Sequence, residues 1–171
     1  MIEIKRAKPS DAECIALLAR VTFTETFGHL FKDTNDILEY CKKTFSVEKI
    51  RNGLQKNNNL FWIALVDELP VGYAKLKLNS TSDFIPLEKS CQLQKIYVLK
   101  DFISMKIGLQ LQNKVLEKAR EKGFEKIWLS VLISNERAIR FYTKNEFQKI
   151  GNHGFQIGKE KFEFIAMVKT L

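Results

Sequence analysis

The sequence predicts a mixed α/β domain, on three observations. The stretch from Gln94 to Tyr142 reads strand, turn, helix, strand, helix. Leu60 to Val66 and Val71 to Leu78 are strand-like runs rich in aromatic or branched residues, joined by a turn at Asp67-Glu68-Leu69-Pro70, the pattern of an antiparallel hairpin. Hydrophobic residues make up 45% of the chain, yet no apolar run approaches the roughly 20 residues of a membrane span. With 171 residues, one domain over 1–171 can bury a sizeable core.

The elements follow in order. Ile2 and Ile4 alternate with Glu3 and Lys5, a first strand of period two that Pro9 stops. Ser10 or Asp11 can cap a helix carrying Ile15, Leu18, Val21 or Thr22, and Glu25 at helical spacing, which loosens near Thr26 to Gly28. Phe27 to Phe31 reads as a loop. Asp33 or Thr34 opens a second helix with Ile37, Leu38 and Cys41, and Ser46 a short third with Val47, Ile50 and Leu54. After the hairpin, Asn79 to Pro86 reads as a loop and Cys91 to Val98 as a strand. A turn at Asp101 to Lys106 precedes a helix over Ile107 to Glu121, where Ile107, Leu111, Val115 and Ala119 form one apolar stripe. Gly123 suits the helix stop. Lys126 to Ile133 reads as a strand. Ser134 or Asn135 caps a helix on which Ala138, Phe141 and Tyr142 share a face. Phe147 to Ile150 and Phe155 to Ile157 read as two short strands separated by Gly151-Asn152-His153-Gly154, and Phe162 to Val168 as the last strand.

The formal net charge of +8 favours anionic partners, among them nucleic acid, a polyphosphate cofactor or an acidic substrate. Acidic residues are interspersed throughout, and no nucleic-acid-binding motif is present. Cys14, Cys41 and Cys91 are scattered, with no C-x-x-C pair and no nearby histidine, so they read as reduced packing residues rather than a disulfide framework or a metal site. The N-terminus alternates like a strand and lacks a signal-peptide apolar core, which predicts a cytoplasmic protein.

The chemistry concentrates in the Gln94 to Tyr142 unit. A helix start leaves its first amides unpaired and carries positive dipole charge, so the turn before Ile107 is built to meet an anion. Tyr142 offers a hydroxyl near the same mouth. Together they suggest an enzyme that uses a phosphate-bearing carrier cofactor.

Tyr97-Val98, the turn ending in Gly108, the helix after it, and Asn135-x-x-Ala138-x-x-Phe141-Tyr142 resemble the GNAT acetyltransferases. Ile127-Trp128-Leu129 before Asn135, Gly151-x-His153-x-Phe155 and the closing Met167-Val168-Lys169-Thr170-Leu171 look more narrowly like the PaiA-type polyamine N-acetyltransferases. The resemblance implies a mostly antiparallel sheet of about seven strands, flanked by helices and splayed at its centre, with acetyl-CoA as co-substrate in the split and no metal. It implies cofactor contacts from Ile96, Tyr97 and Val98 on the strand, from Ile103, Ser104, Met105, Lys106, Ile107, Gly108 and Leu109 in the turn, and from Asn135, Tyr142 and Lys144. Tyr142 is implied as the catalytic acid that protonates the departing thiolate. Asn135 and Tyr142, seven residues apart, would lie on one helix face about 10 Å apart along the axis. A tyrosine, with a reference pKa of about 10, keeps its proton at neutral pH.

Three positions depart from the family pattern. The phosphate turn usually reads Gln or Arg, two residues, Gly, one residue, then Gly or Ala; here those places hold Ile103, Lys106 and Gly108. Lys106 is expected to compensate with its ammonium. Many family members carry a carboxylate base on the strand before the turn, where this chain has Gln92 and Gln94; Glu25, Glu88 or His153 could substitute. Glu146 stands where glycine is usual, and Asn145 is expected to take the left-handed conformation instead.

The leading expectation is an acetyl-CoA-dependent N-acetyltransferase acting on a small-molecule primary amine, a polyamine by the narrower resemblance, although the positive net charge runs against a cationic acceptor. The acceptor side is expected from Glu25 to Phe31, the Asn79 to Pro86 loop and the His153 region, with Glu25, Phe27 and His153 as contacts. Two alternatives stand beside it: an acyl-CoA-binding protein with weak or no catalysis, and a basic nucleic-acid-binding regulator that rests on charge alone. The oligomeric state stays open, a homodimer included.

Overall fold

Period-two alternation produces seven strands in the computed structural model, which describes residues 1–85 and 88–171. They are β1 Ile2–Arg6, β2 Asn59–Val66, β3 Leu69–Lys77, β4 Ser90–Val98, β5 Lys126–Leu132, β6 Gln148–Ile157 and β7 Glu160–Thr170. The helices are α1 Ala12–Phe27, α2 Thr34–Thr44, α3 Val47–Gln55, α4 Ile107–Glu121 and α5 Glu136–Lys144. One sheet joins the strands in the order β1-β2-β3-β4-β5-β7-β6. Only β4 and β5 run parallel; every other neighbouring pair is antiparallel.

Each face of the sheet has its own core. Against one face, α4 presents the expected stripe, with Ile107, Leu111, Val115 and Ala119 fully buried against Ala74, Leu76, Cys91 and Ile127. Against the other, α1 and α2 bring Ile15, Leu18, Phe23, Phe27, Ile37 and Cys41 onto Phe61, Ile63 and Tyr73. Burying such side chains contributes about 1.5–3 kcal/mol each before chain entropy is counted. The caps are the predicted ones: Asp33 accepts from the Asn35 amide (2.9 Å) and Ser46 from the Lys49 amide (3.2 Å).

Several boundaries differ from expectation. Asp67 and Glu68 both take positive φ, 47° and 69°, so they alone form the two-residue hairpin turn and β3 already begins at Leu69. Pro70 is accommodated within β3 at the register shift beside Leu65. Phe27 to Phe31 is not a plain loop: Gly28–Leu30 forms a 3₁₀ turn continuing α1. Gly151 to Gly154 do not separate two strands, because β6 pairs with β7 through them, shifting register once between Lys149 and Gly151. The Asn79 to Pro86 loop, of which Pro86 lies outside the described residues, packs Phe84 over Gly151.

The end of α5 corrects a further expectation. Glu146, not Asn145, takes the left-handed conformation, with φ 67°, while Asn145 sits at φ −96°. The Phe147 amide donates to the Tyr142 carbonyl (3.0 Å) and the Glu146 amide to the Thr143 carbonyl (3.1 Å). This pair of bonds is a Schellman motif, with Phe147 packing edge-on to Tyr142 at 5.6 Å. Lys169 offsets the missing glycine: its ammonium donates to the Asn145 carbonyl and pairs with the Glu146 carboxylate.

Candidate active site

The site begins where β4 and β5 part. They pair only through Ser90, Cys91 and Gln92 against Lys126, Ile127 and Trp128. Two residues on, Gln94 is the extra residue of a bulge against β3, because Lys75 faces Lys95 while Leu76 faces Leu93. A bulge bends its strand and increases the local twist, so it turns β4 away from β5 there. Leu93 to Val98 keep β3 as neighbour and lose β5. The Leu99 amide donates to the Val71 carbonyl (2.8 Å), so alternation points the Val98 and Ile96 amides the other way, into the gap.

The gap opens into a cavity of about 950 Å³. Ile96, Tyr97 and Val98 form one wall, and Asn135, Tyr142 and Lys144 stand on another. Ile103, Ser104, Lys106, Gly108 and Leu109 line the end at the start of α4. Two residues expected with them do not line it. Ile107 is fully buried in the α4 core, and the Met105 side chain lies exposed outside the cavity lining. Lys106 adopts φ 58° and ψ 20°, the left-handed conformation a glycine would take there without strain. A Cβ at Gly108 would meet nothing within 4 Å, so the turn leaves open space before the first amides of α4. The Asn135 side chain accepts from the Ala138 amide (3.2 Å), which fixes the start of α5.

Tyr142 is buried yet lines the cavity. Burial, and then the neighbouring Tyr97, push its pKa well above the ordinary tyrosine value, which keeps the hydroxyl protonated. Glu25 and Phe27 also line the cavity, and the Glu25 carboxylate accepts from the Lys100 amide (3.0 Å), which pins the start of the turn. His153 does not itself line the cavity; its Nε2 lies 2.7 Å from Ser130 Oγ, and Ser130 does. The His153 ring stacks on Phe164 at 5.5 Å. Neither Glu88 nor the described part of the Asn79 to Pro86 loop reaches the cavity, because that loop folds onto β6.

Sequence reasoning missed Ser130, Arg137, Lys100 and Lys95, all of which line the cavity. Ser130 had a signal, as the one polar residue in the apolar run from Ile127 to Ile133. Arg137 had another: a cation in the first turn of a short helix opposes the helix dipole, as fits a place where an anion is to bind.

A model of the Acetyltransferase (GNAT) family matches residues 23–147. An uncharacterized N-acetyltransferase of Lactobacillus delbrueckii subsp. lactis is 26% identical over 99% of this chain and 98% of its own length. Among solved structures, the PaiA N-acetyltransferase of Thermoplasma acidophilum in complex with coenzyme A superposes with a TM-score of 0.80 at 22% identity, covering 100% of this chain and 99% of that one. The ribosomal-protein-S18-alanine N-acetyltransferase of Escherichia coli gives 0.73 at 16% identity, over 99% and 94%. The chain belongs to the GNAT family: it is an N-acetyltransferase that uses acetyl-CoA as co-substrate. The residues present fit that group, since free strand amides, an open turn at Gly108 and the cations Lys106, Arg137 and Lys144 all border one cavity. Among the described residues, no helix is long and apolar enough to cross a membrane.

Proposed function

We propose that this protein acetylates the primary amine of a small molecule, with Tyr142 as general acid. The observation that carries this reading is the unpaired end of β4 facing Tyr142 across a single cavity. The co-substrate supplies an acetyl thioester: the amine nitrogen bonds to the carbonyl carbon, the C–S bond breaks, and the electron pair leaves on sulfur. Ser104, Lys106, Arg137 and Lys144 would hold its phosphates beside the α4 start. The Val98 amide would donate to the carbonyl oxygen as charge gathers there. Tyr142 would give its hydroxyl proton to the departing sulfur. The acceptor ammonium must lose a proton before attack. Ser130 Oγ, in hydrogen-bond reach of His153 Nε2, offers a relay that replaces the carboxylate missing at Gln92 and Gln94.

A polyamine acceptor is the finer reading, supported by the likeness to the PaiA enzyme. Its demand for carboxylates finds one among the residues lining the cavity, Glu25, against the cations Lys95, Lys100, Lys106, Arg137 and Lys144. We also assign a cytoplasmic location, which the unpaired cysteines favour. The test of the reading is release of free CoA thiol from acetyl-CoA in the presence of a panel of primary amines. Turnover that requires an amine is expected. Tight acetyl-CoA binding without turnover on any amine would favour the acyl-CoA-binding alternative.

A further inference from the structure

β3 and β4 place two lysines side by side at the open end of the sheet. Lys75 and Lys95 are register partners, so their side chains leave the same face as neighbours. Lys95 lines the cavity. Its ammonium lies 5.6 Å from the Phe45 ring, and that of Lys75 lies 5.3 Å from the Phe61 ring. Both rings belong to the core under α1 and α2, on the sheet face opposite α4. Among the described residues neither lysine has a carboxylate in ion-pair range. Burial, and then the neighbouring lysines Lys95, Lys77, Lys56 and Lys49, hold the Lys75 pKa down to about 8. Burial alone lowers that of Lys95.

Partly buried cations gathered without a counter-ion are unfavourable unless an anion joins them. Of the phosphate-binding residues proposed above, Ser104 and Lys106 stand at the start of α4 and Arg137 and Lys144 on α5, helices that pack on the other face of the sheet from this pair. Lys95 shares the cavity lining with Glu25 and Phe27 of α1.

We propose that Lys95, backed by Lys75, is a subsite for an anionic group on the acceptor, so that the acceptor is a small amine that also bears a carboxylate or a phosphate. This rests on the acetyltransferase reading above and opposes a polyamine acceptor. The net charge of +8 agrees with it, since a positive protein draws in anionic substrates.

The test compares matched acceptors: γ-aminobutyrate against putrescine for a carboxylate, and phosphoethanolamine against ethanolamine for a phosphate. We expect the anionic member of at least one pair to have the higher kcat/KM by roughly tenfold, the size of one favourable charge interaction, and the pair that shows it identifies the anion. Lys95→Met should bring that ratio toward unity, and Lys95→Arg should retain most of it. Preference for putrescine and ethanolamine, or a ratio unmoved by Lys95→Met, overturns the proposal. Thermal shifts with the same compounds in the presence of CoA read the subsite without catalysis. Stabilisation by γ-aminobutyrate or phosphoethanolamine that Lys95→Met abolishes, with no turnover on any amine, upholds the subsite while the transferase reading fails. No shift with either anion and no turnover sinks the subsite.

Discussion

The two halves of β4 share one strand, yet only one half pairs with β5. Ser90 to Gln92 pair with β5, and Gln92 pairs with β3 as well. Leu93 to Val98 keep β3 alone. An unpaired strand edge is ordinarily a liability, because its amides and carbonyls invite another chain. Here the edge is enclosed by β5, α5 and the turn before α4, and cations border the space in front of it. The bulge at Gln94 separates the half that holds the sheet together from the half that can bind.

The strongest test removes the hydroxyl proposed as the acid, which faces the open half. Tyr142→Phe should lower kcat by roughly 10²-fold or more with little change in acetyl-CoA affinity, as expected for loss of a general acid. Single-turnover kinetics alongside acetyl-CoA titration would separate the two effects; unchanged turnover removes Tyr142 from the mechanism. Loss of folding, seen by circular dichroism, would make the ring a core element instead.

Proline at Val98 tests the edge itself. It deletes an amide that points into the gap and spares the Leu99 bond to Val71. Val98→Pro is expected to cost about 10²-fold in kcat/KM, the scale of one lost oxyanion donor. Proline at Cys91, in the half paired with β5, should instead lower the melting temperature, because it intrudes into a fully buried stretch of strand opposite Ile127. If both variants lose stability alike, the halves do not differ as described.

The lysine pair gives a smaller, pH-dependent effect. Lys75 titrates near 8 when folded, and a lysine in an unfolded chain near about 10.4. Below pH 8 both forms are protonated and the burial cost is fully present. Between those values the unfolded chain binds more protons, so stability should rise with pH. Denaturant titrations should show a gain on the order of 1 kcal/mol that Lys75→Met removes. A variant whose pH profile parallels wild type would mean that Lys75 is not desolvated.

The smallest effect is expected at Lys106. Lys106→Ala should weaken CoA binding up to roughly fivefold, and more at low salt, if the ammonium approaches the phosphates. Lys106→Gly loses the same charge and relieves the left-handed backbone, so it should raise stability by about 1 kcal/mol relative to Lys106→Ala. Tighter CoA binding in both variants would make Lys106 an obstruction.

Much of this was legible in the chain. The turn from Asp101 to Lys106 and α4 over Ile107 to Glu121 fall where the pattern puts them, because a four-residue apolar repeat leaves one face to bury. The two places where family glycines are missing, Lys106 and Glu146, keep the left-handed backbone all the same. Asn145 was the expected carrier because local preference favours it; the bonds from Glu146 and Phe147 back to α5, with Lys169 beside them, outweigh that preference. The glycines of β6 predict two pieces because glycine weakens a strand locally, whereas β7 supplies partners along its whole length.

The sequence by itself determined the helices, most of the strands and the caps at Asp33 and Ser46, since each depends on periodicity or on chemistry within a few neighbouring positions. Tertiary structure alone decided where β4 leaves β5, that His153 reaches the cavity through Ser130, and that Lys75 stands beside Lys95 with no carboxylate in ion-pair range among the described residues. Those relations join residues many positions apart, through strand register and a bulge. A one-residue change of register turns a side chain to the other face, so no local pattern specifies them.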